Sequence, residues 1–297
     1  MQPTAALTKA AAAAVDLVLP LNHPADAVLR NFFSANRGLG SQDRAFVAEM
    51  VFTVLRHKRL LESLITHPTP RRLVLGSLLK LQGHSLGQLE PFLKAEDREW
   101  AVQLKSADVE SLAPAVRLSL PDWLYERLVA EYSEKEAVAF GRVMLKSAPL
   151  DLRVNTLLAD RAQVLEELRA SGFAAEPTRW SPIGIRLAGK PAINRHPLFT
   201  RGAVEVQDEG SQLLGYLVAP KRREMVVDFC AGAGGKTLMM GALMQSTGRL
   251  YALDVSEKRL NNLKPRLKRS GLSNVHPQLI QGENDIKVKR LAGKIDR

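Results

Sequence analysis

The sequence predicts a multidomain chain: an all-helical N-terminal region, a small α+β module, and the opening part of a Rossmann-like parallel α/β domain. Three observations carry this expectation. Apolar residues recur at helical spacing up to about residue 115, a strand–helix–strand rhythm sets in at Leu150, and after about residue 206 buried apolar runs alternate with helical patterns around a glycine-rich loop. The expected boundaries are 1–117, 118–205 and 206–297.

The alanine-rich start, TAALTKAAAAAVDLVLPLNHP, reads as a helix. Asp16 interrupts its apolar run and no basic segment precedes it, so it is not read as a secretion signal. In DRAFVAEMVFTVLRHKRLLESLI, Phe46, Met50 and Val54 share one helical face, with Val47, Val51 and Leu55 beside them. Asp43 favours the start of that helix, and the loop with Gly38 and Gly40 punctuates what precedes it. Further helices are expected at RRLVLGSLLKLQG, ended by Gly83, and at REWAVQLKSA. In LPDWLYERLVAEYSEKEAVAFGRVML, Pro121 suits a first helical turn and Asp122 the helix dipole.

The texture changes at Leu150. LDLRVNTLL alternates as a short strand does, RAQVLEELRASG is a helix stopped by Gly172, and GIRLAG is a second strand. EVQDEGSQLLGYLVAP is a helix ending near Pro220. REMVVDFCAGAGGKT is a buried strand running into the glycine loop, LMMGALMQS the helix after it, and GRLYALDVS a second strand. EKRLNNLKPRLKRSG is a second helix, kinked at Pro265 or ended at Lys264, and NVHPQLIQGEND a third strand. Buried strands alternating with helices argue a parallel sheet.

Composition bounds the function. A hydrophobic share of 45% with a quarter of residues charged is ordinary for a globular protein. A single cysteine excludes a disulfide framework and points to a reducing, cytoplasmic setting. No apolar run approaches the length a membrane helix needs. The net charge of +11 is uneven: Lys221 to Arg297 holds 16 Lys and Arg against 7 Asp and Glu. Such a module suits a polyanion, and equally a solvated surface. The three tryptophans, Trp100, Trp123 and Trp180, are expected to pack. The triplet Lys221–Arg223 either touches RNA or caps the preceding helix. No two of the six histidines stand four apart and no cysteine cluster accompanies them, so no metal site is expected.

Three ligand templates compete for MVVDFCAGAGGKT. A phosphate-cradling loop fits Gly235, Lys236 and Thr237, but its first glycine would fall on Cys230. A dinucleotide loop fits Gly232 and Gly234, but places Thr237 where close helix–strand packing requires glycine. A third pattern begins with Asp228 at the end of the first strand. It continues through Gly232 and Gly234 to an acidic residue, Asp254, at the end of the second strand. That pattern suits S-adenosylmethionine: the glycines admit the ligand without Cβ clashes, and the carboxylate accepts both ribose hydroxyls. Dinucleotide enzymes share the ribose carboxylate, so spacing alone leaves both ligands open.

DFCAGAGGKT, preceded by LDLRVNTL and VQDEGSQL, resembles the Fmu/Sun (RsmB-type) RNA cytosine-5 methyltransferases. In that family the loop usually reads CAAPGGKT, so Gly232 and Ala233 replace Ala-Pro. The segment 43–65 resembles the NusB-like helical domain of the bacterial ribosomal RNA member. The resemblance implies an RNA-binding NusB-like N-terminal domain, an S-adenosylmethionine-dependent methyltransferase domain and ribosomal RNA as partner, in a monomeric protein. It carries the cofactor site to Asp228, Cys230, Ala231, Gly232, Ala233, Gly234, Gly235, Lys236 and Asp254, with Asn284 favoured over Glu283 and Asp285 beside the adenine. It also implies two cysteines downstream of LAGKIDR, one of which attacks cytosine C6 so that C5 takes the methyl group. Cys230 matches the cofactor loop and neither of those positions, so no catalytic residue is assigned, and the 297 residues alone are expected to be inactive. The competing function is a non-catalytic RNA-binding or assembly factor with a vestigial cofactor fold; a dinucleotide oxidoreductase stands third.

Overall fold

The computed structural model describes residues 3–297. The chain divides into two compact units, Met1–Ser147 and Ala148–Arg297.

The first unit is helical. Its opening helix, Ala5–Val18, is capped by Thr4, whose hydroxyl accepts the Leu7 N–H at 3.2 Å. It packs against Ser41–Arg56 and Pro70–Gly76, and one apolar core gathers Ala11, Val15, Val51, Val54, Leu61, Leu75 and Leu78. At the start of Ser41–Arg56 the Asp43 carboxylate accepts the Gly40 N–H at 2.9 Å. The expected run to residue 65 is two helices, because at His57 (φ −108°, ψ 19°) the backbone leaves helical geometry before Lys58–Leu64. Past the break, Leu61 and Ile65 still reach the common core while Arg59 pairs with Asp122 at 2.7 Å. Arg98–Ser106 follows, and Asp122–Glu131 and Glu134–Met144 form a closing hairpin. Trp100 packs as expected at 8% exposure, but Trp123 at 64% does not.

The second unit holds two sheets. The first is antiparallel in the order β2-β3-β1-β4, with β1 Leu150–Val154, β2 Ala175–Pro177, β3 Gly184–Leu187 and β4 Val204–Val206. The helix Arg161–Ala170 covers it, burying Val164, Leu165 and Leu168 against Leu152, Val154 and Ile185. Trp180, in the loop between β2 and β3, is 63% exposed beneath the Arg179 guanidinium rather than packed inside. The second sheet is parallel in the order β5-β6-β7, with β5 Met225–Asp228, β6 Arg249–Asp254 and β7 Val275–Leu279. Its crossovers are the helices Gly235–Leu243 and Glu257–Ser270, and Leu238, Met240, Leu260 and Leu263 pack on Val226, Leu250 and Ala252. Glu257–Ser270 runs unbroken through Pro265. The carbonyl that loses its donor there belongs to Asn261, and both residues are exposed, so that carbonyl is open to solvent.

Candidate functional site

The glycine loop joins β5 to the helix Gly235–Leu243. Parallel register pairs Asp228 with Ala252, so β6 continues past the start of the loop and delivers Asp254 beside it. Each turn of the loop is fixed by a backbone bond. The Ala231 N–H donates to the Leu253 carbonyl at 2.9 Å, and the Gly234 N–H to the Ala231 carbonyl at 2.8 Å. The Gly232 N–H donates to Asp254 Oδ2 at 2.8 Å, while Asp254 Oδ1 takes the Ser256 N–H at 2.8 Å. Asp254 is buried, and each of its oxygens keeps a lone-pair direction beyond these bonds.

The two glycines do different work. Gly232 (φ +56°) has open space where a Cβ would stand. Gly234 (φ +82°) has none: a Cβ there would lie 2.1 Å from Leu263 Cδ1. Left-handed φ favours glycine at both, and close packing also forbids a side chain at the second. Asp228 Oδ2 accepts the hydroxyl of buried Thr237 at 2.6 Å, clamping the end of β5 to the first turn of the following helix. First-turn N–H groups of a helix have no partner inside it, so the Gly235–Leu243 helix offers donors and a positive dipole end at the loop. Cys230 and Lys236 are exposed, and Ala231 is buried.

One residue beyond Asp254 begins a cavity of about 800 Å³ lined by Val255, Leu279, Ile280, Gln281, Asn284, Asp285, Ile286 and Lys287. It contains two of the three candidates for an adenine contact. The backbone N–H groups of Lys287 and Gln281 hold the Asp285 carboxyl below the usual carboxylate range, at 2.8 and 2.9 Å. Each Asp285 oxygen thus takes one N–H from the loop that leads into Ile286–Lys289. The Asn284 side chain carries no such duty in the loop, and exposed Glu283 is not part of the cavity lining.

Sequence reasoning missed the polar floor under this loop. Glu205, buried on β4, is gripped by Arg266 and Arg269 from the Glu257–Ser270 helix. Arg266 also donates from Nη1 to the Ala233 carbonyl at 2.7 Å. Beside it Arg153, fully buried on β1, donates from Nε to Gln207 Oε1 at 2.6 Å, and burial brings its guanidinium down to about 10. Arg266 and Arg269, two of the 16 Lys and Arg in the basic stretch from Lys221 to Arg297, therefore have internal partners. A helical wheel contains the signal, since Arg266 follows Leu263 by one turn on the packed face. At the end of the helix before the Lys221–Arg223 triplet, Arg297 donates to the Val218 carbonyl at 3.0 Å. Among the described residues no group of three His, Cys, Asp or Glu side chains is placed to hold a metal, and no helix is long and apolar enough to cross a membrane.

Two family models match parts of the chain. The family described as "16S rRNA methyltransferase RsmB/F" matches residues 215–297, and a "Methyltr_RsmF/B-like, ferredoxin-like domain" matches residues 120–194. A Synechocystis protein named "Probable ribosomal RNA small subunit methyltransferase B" is 28% identical over 275 residues, covering 80% of this chain and 61% of its own length. The chain thus spans about three fifths of the length of such relatives. A human protein named "28S rRNA (cytosine(4447)-C(5))-methyltransferase" is 29% identical over 185 residues, 62% of this chain and 22% of its own. The crystal structure of PH0851 superposes with a TM-score of 0.76 at 21% identity, over 97% of this chain and 72% of that one, a likeness of fold.

Proposed function

Because the chain belongs to the RsmB-type (Fmu/Sun) methyltransferase family, we propose that it binds S-adenosylmethionine and is part of an enzyme that methylates C5 of a cytosine in ribosomal RNA. The observation that carries the cofactor reading is the approach of the Gly232 N–H to Asp254, with open space beside the glycine. The free lone pairs of Asp254 suit the two ribose hydroxyls, and the open space at Gly232 suits a ligand pressed against backbone. First-turn N–H groups at Gly235 and Lys236 suit the carboxylate of the amino-acid end, and Asp228 Oδ1 its ammonium. The Asn284 amide suits the adenine edge. When bound, the cofactor supplies an electrophilic methyl group on a sulfonium.

The cytosine C5 assignment rests on the family and on the printed name of the human relative. C5 of cytosine is a weak nucleophile until a thiolate adds to C6, and we assign that thiolate to a residue other than Cys230. Cys230 lies on the cofactor loop itself, between Phe229 and Ala231. The 297 residues by themselves are therefore read as cofactor- and RNA-binding without transfer. The helical first unit is read as the NusB-like RNA-binding part.

Titration of the chain with S-adenosylhomocysteine and, separately, with NAD tests the ligand. Binding of the former that Asp254→Ala abolishes is the expected result, and preferential binding of NAD would sink the reading. Mapping of C5-methylated cytosines in ribosomal RNA from cells with and without the protein tests the substrate. An unchanged map would remove ribosomal RNA from the proposal.

A further inference from the structure

The Arg266 guanidinium bridges the glycine loop and the antiparallel sheet. It leaves the middle of the Glu257–Ser270 helix and reaches two other elements. Nη1 donates to the Ala233 carbonyl at 2.7 Å, and Nε and Nη2 donate to Glu205 Oε2 at 3.1 and 3.0 Å. Glu205 belongs to β4, in the sheet of the ferredoxin-like module, and its other oxygen is held by Arg269. The fork of a guanidinium suits this task because it presents several donors in one rigid plane.

The bond to Ala233 matters because of what shares its peptide plane. In a trans peptide the carbonyl and the following N–H point in opposite directions. With the Ala233 carbonyl held by Arg266, the Gly234 N–H is turned toward the Ala231 carbonyl, where it bonds at 2.8 Å. That plane fixes the left-handed turn through Gly234, which sets where the Gly235–Leu243 helix begins. One turn earlier on the same helix, Leu263 fills the space against Gly234. The opposite side of the loop is anchored by Asp254.

We propose that Arg266 is a positioning residue for the cofactor loop: it ties the Ala233 carbonyl to Glu205, so the module's antiparallel sheet sets the geometry in which the loop meets its ligand. The proposal rests on the cofactor reading above. Glu205 stands in register with Arg153, whose partner Gln207 lies beside Gly235, so a second arm from the same sheet reaches the same loop. A ligand that shifts the module would, through these arms, shift cofactor affinity.

The test uses the full chain and S-adenosylhomocysteine as probe, with affinity followed by amide NMR shifts into the millimolar range. Arg266→Ala is expected to weaken binding about tenfold, the equivalent of one charge-assisted hydrogen bond, and to speed hydrogen exchange at the Gly234 amide. Arg266→Lys, which keeps the charge but cannot span both acceptors, is expected to fall between the two. Leu168→Ala, a cavity in the module's apolar core, should lower Tm while leaving affinity unchanged at low temperature. Equal affinity of Arg266→Ala and the unaltered chain would overturn the proposal, as would equal weakening by Leu168→Ala. No shift with the unaltered chain at millimolar probe would overturn the cofactor reading and this inference with it.

Discussion

The two units are held together by different chemistry. In the helical unit the buried residues are almost all apolar; among the described residues only Thr8, Thr53, Ser77 and Asp97 are buried polar or charged residues. In the α/β unit a chain of buried polar side chains (Asp151, Arg153, Asn155, Glu205, Gln207, Glu209, Gln212) runs between the antiparallel sheet and the elements around the glycine loop. Asn155 donates to the carbonyls of Gly202 at 3.1 Å and Ser270 at 2.9 Å, and Gly202 lies so close that a Cβ would sit 2.1 Å from the Arg269 carbonyl oxygen. Apolar packing is non-directional and tolerates adjustment, whereas a buried hydrogen-bonded network fixes one geometry. The unit that presents a ligand loop carries the directional kind.

The sharpest way to break this contrast is Glu205→Ala. It leaves Arg153, Arg266 and Arg269 facing one another without their carboxylate, and is expected to destabilise the α/β unit by about 4 kcal/mol. Leu75→Ala, in the helical unit, is expected to cost about 3 kcal/mol through lost burial and a residual cavity. Denaturant unfolding followed by hydrogen exchange on peptides from each unit checks both. Each loss should be confined to its own unit, and a loss from Leu75→Ala spread equally over both would end the comparison.

The same contrast explains what was legible in the sequence. The Ser41–Arg56 helix is written in its spacing, because Val47, Met50, Val51 and Val54 must all face one core. The first two strands of the parallel sheet are legible too, since MVVD and RLYALD carry apolar runs ending at a turn; β7, VHPQL, is not an apolar run. The three-residue strands Ala175–Pro177 and Val204–Val206 are too short to carry a period of two, and only the tertiary ladder reveals them. Asp228, Gly232, Gly234 and Asp254 announce themselves by spacing, because strand ends and a tight turn are local constraints. Glu205 and Arg266 do not announce their pairing: the helical wheel puts Arg266 on the packed face, but its partner lies far away in the chain.

Acid distinguishes the units by single residues. Burial raises the Asp97 carboxyl, but the hydrogen bonds and charges of Arg71 and Arg72 outweigh it and bring it below the ordinary value. Burial likewise raises Glu209, and the backbone N–H groups of Ser181 and Trp180 bring it down. A carboxylate depressed in the folded state contributes stability above its unfolded value, and that contribution is lost as the pH falls through the folded one. Both units should therefore weaken below about pH 4. Asp97→Asn should flatten the acid limb of the helical unit alone, and Glu209→Gln that of the α/β unit alone, each costing about 1–2 kcal/mol at neutral pH. A substitution that flattened neither limb would remove that residue from the account.

The smallest effect concerns the tryptophans, and it tests whether apolar size or apolar burial makes the helical core. Trp100 sits in that core at 8% exposure with the Arg72 guanidinium over its ring, 5.4 Å from the centroid. Trp123, in the same unit, lines an open groove with Lys58, Arg59 and Glu62 and is 64% exposed. Burial stabilises only the area withdrawn from water, so Trp123→Ala should change stability by no more than about 0.5 kcal/mol. Trp180→Ala should do little more in the α/β unit, losing one exposed contact with Arg179 worth about 0.5–1 kcal/mol. Iodide should quench the fluorescence of Trp123 and Trp180 and spare Trp100. A loss of several kcal/mol from Trp123→Ala would mean that the groove around it is closed in solution, and that the helical unit buries more than its own core.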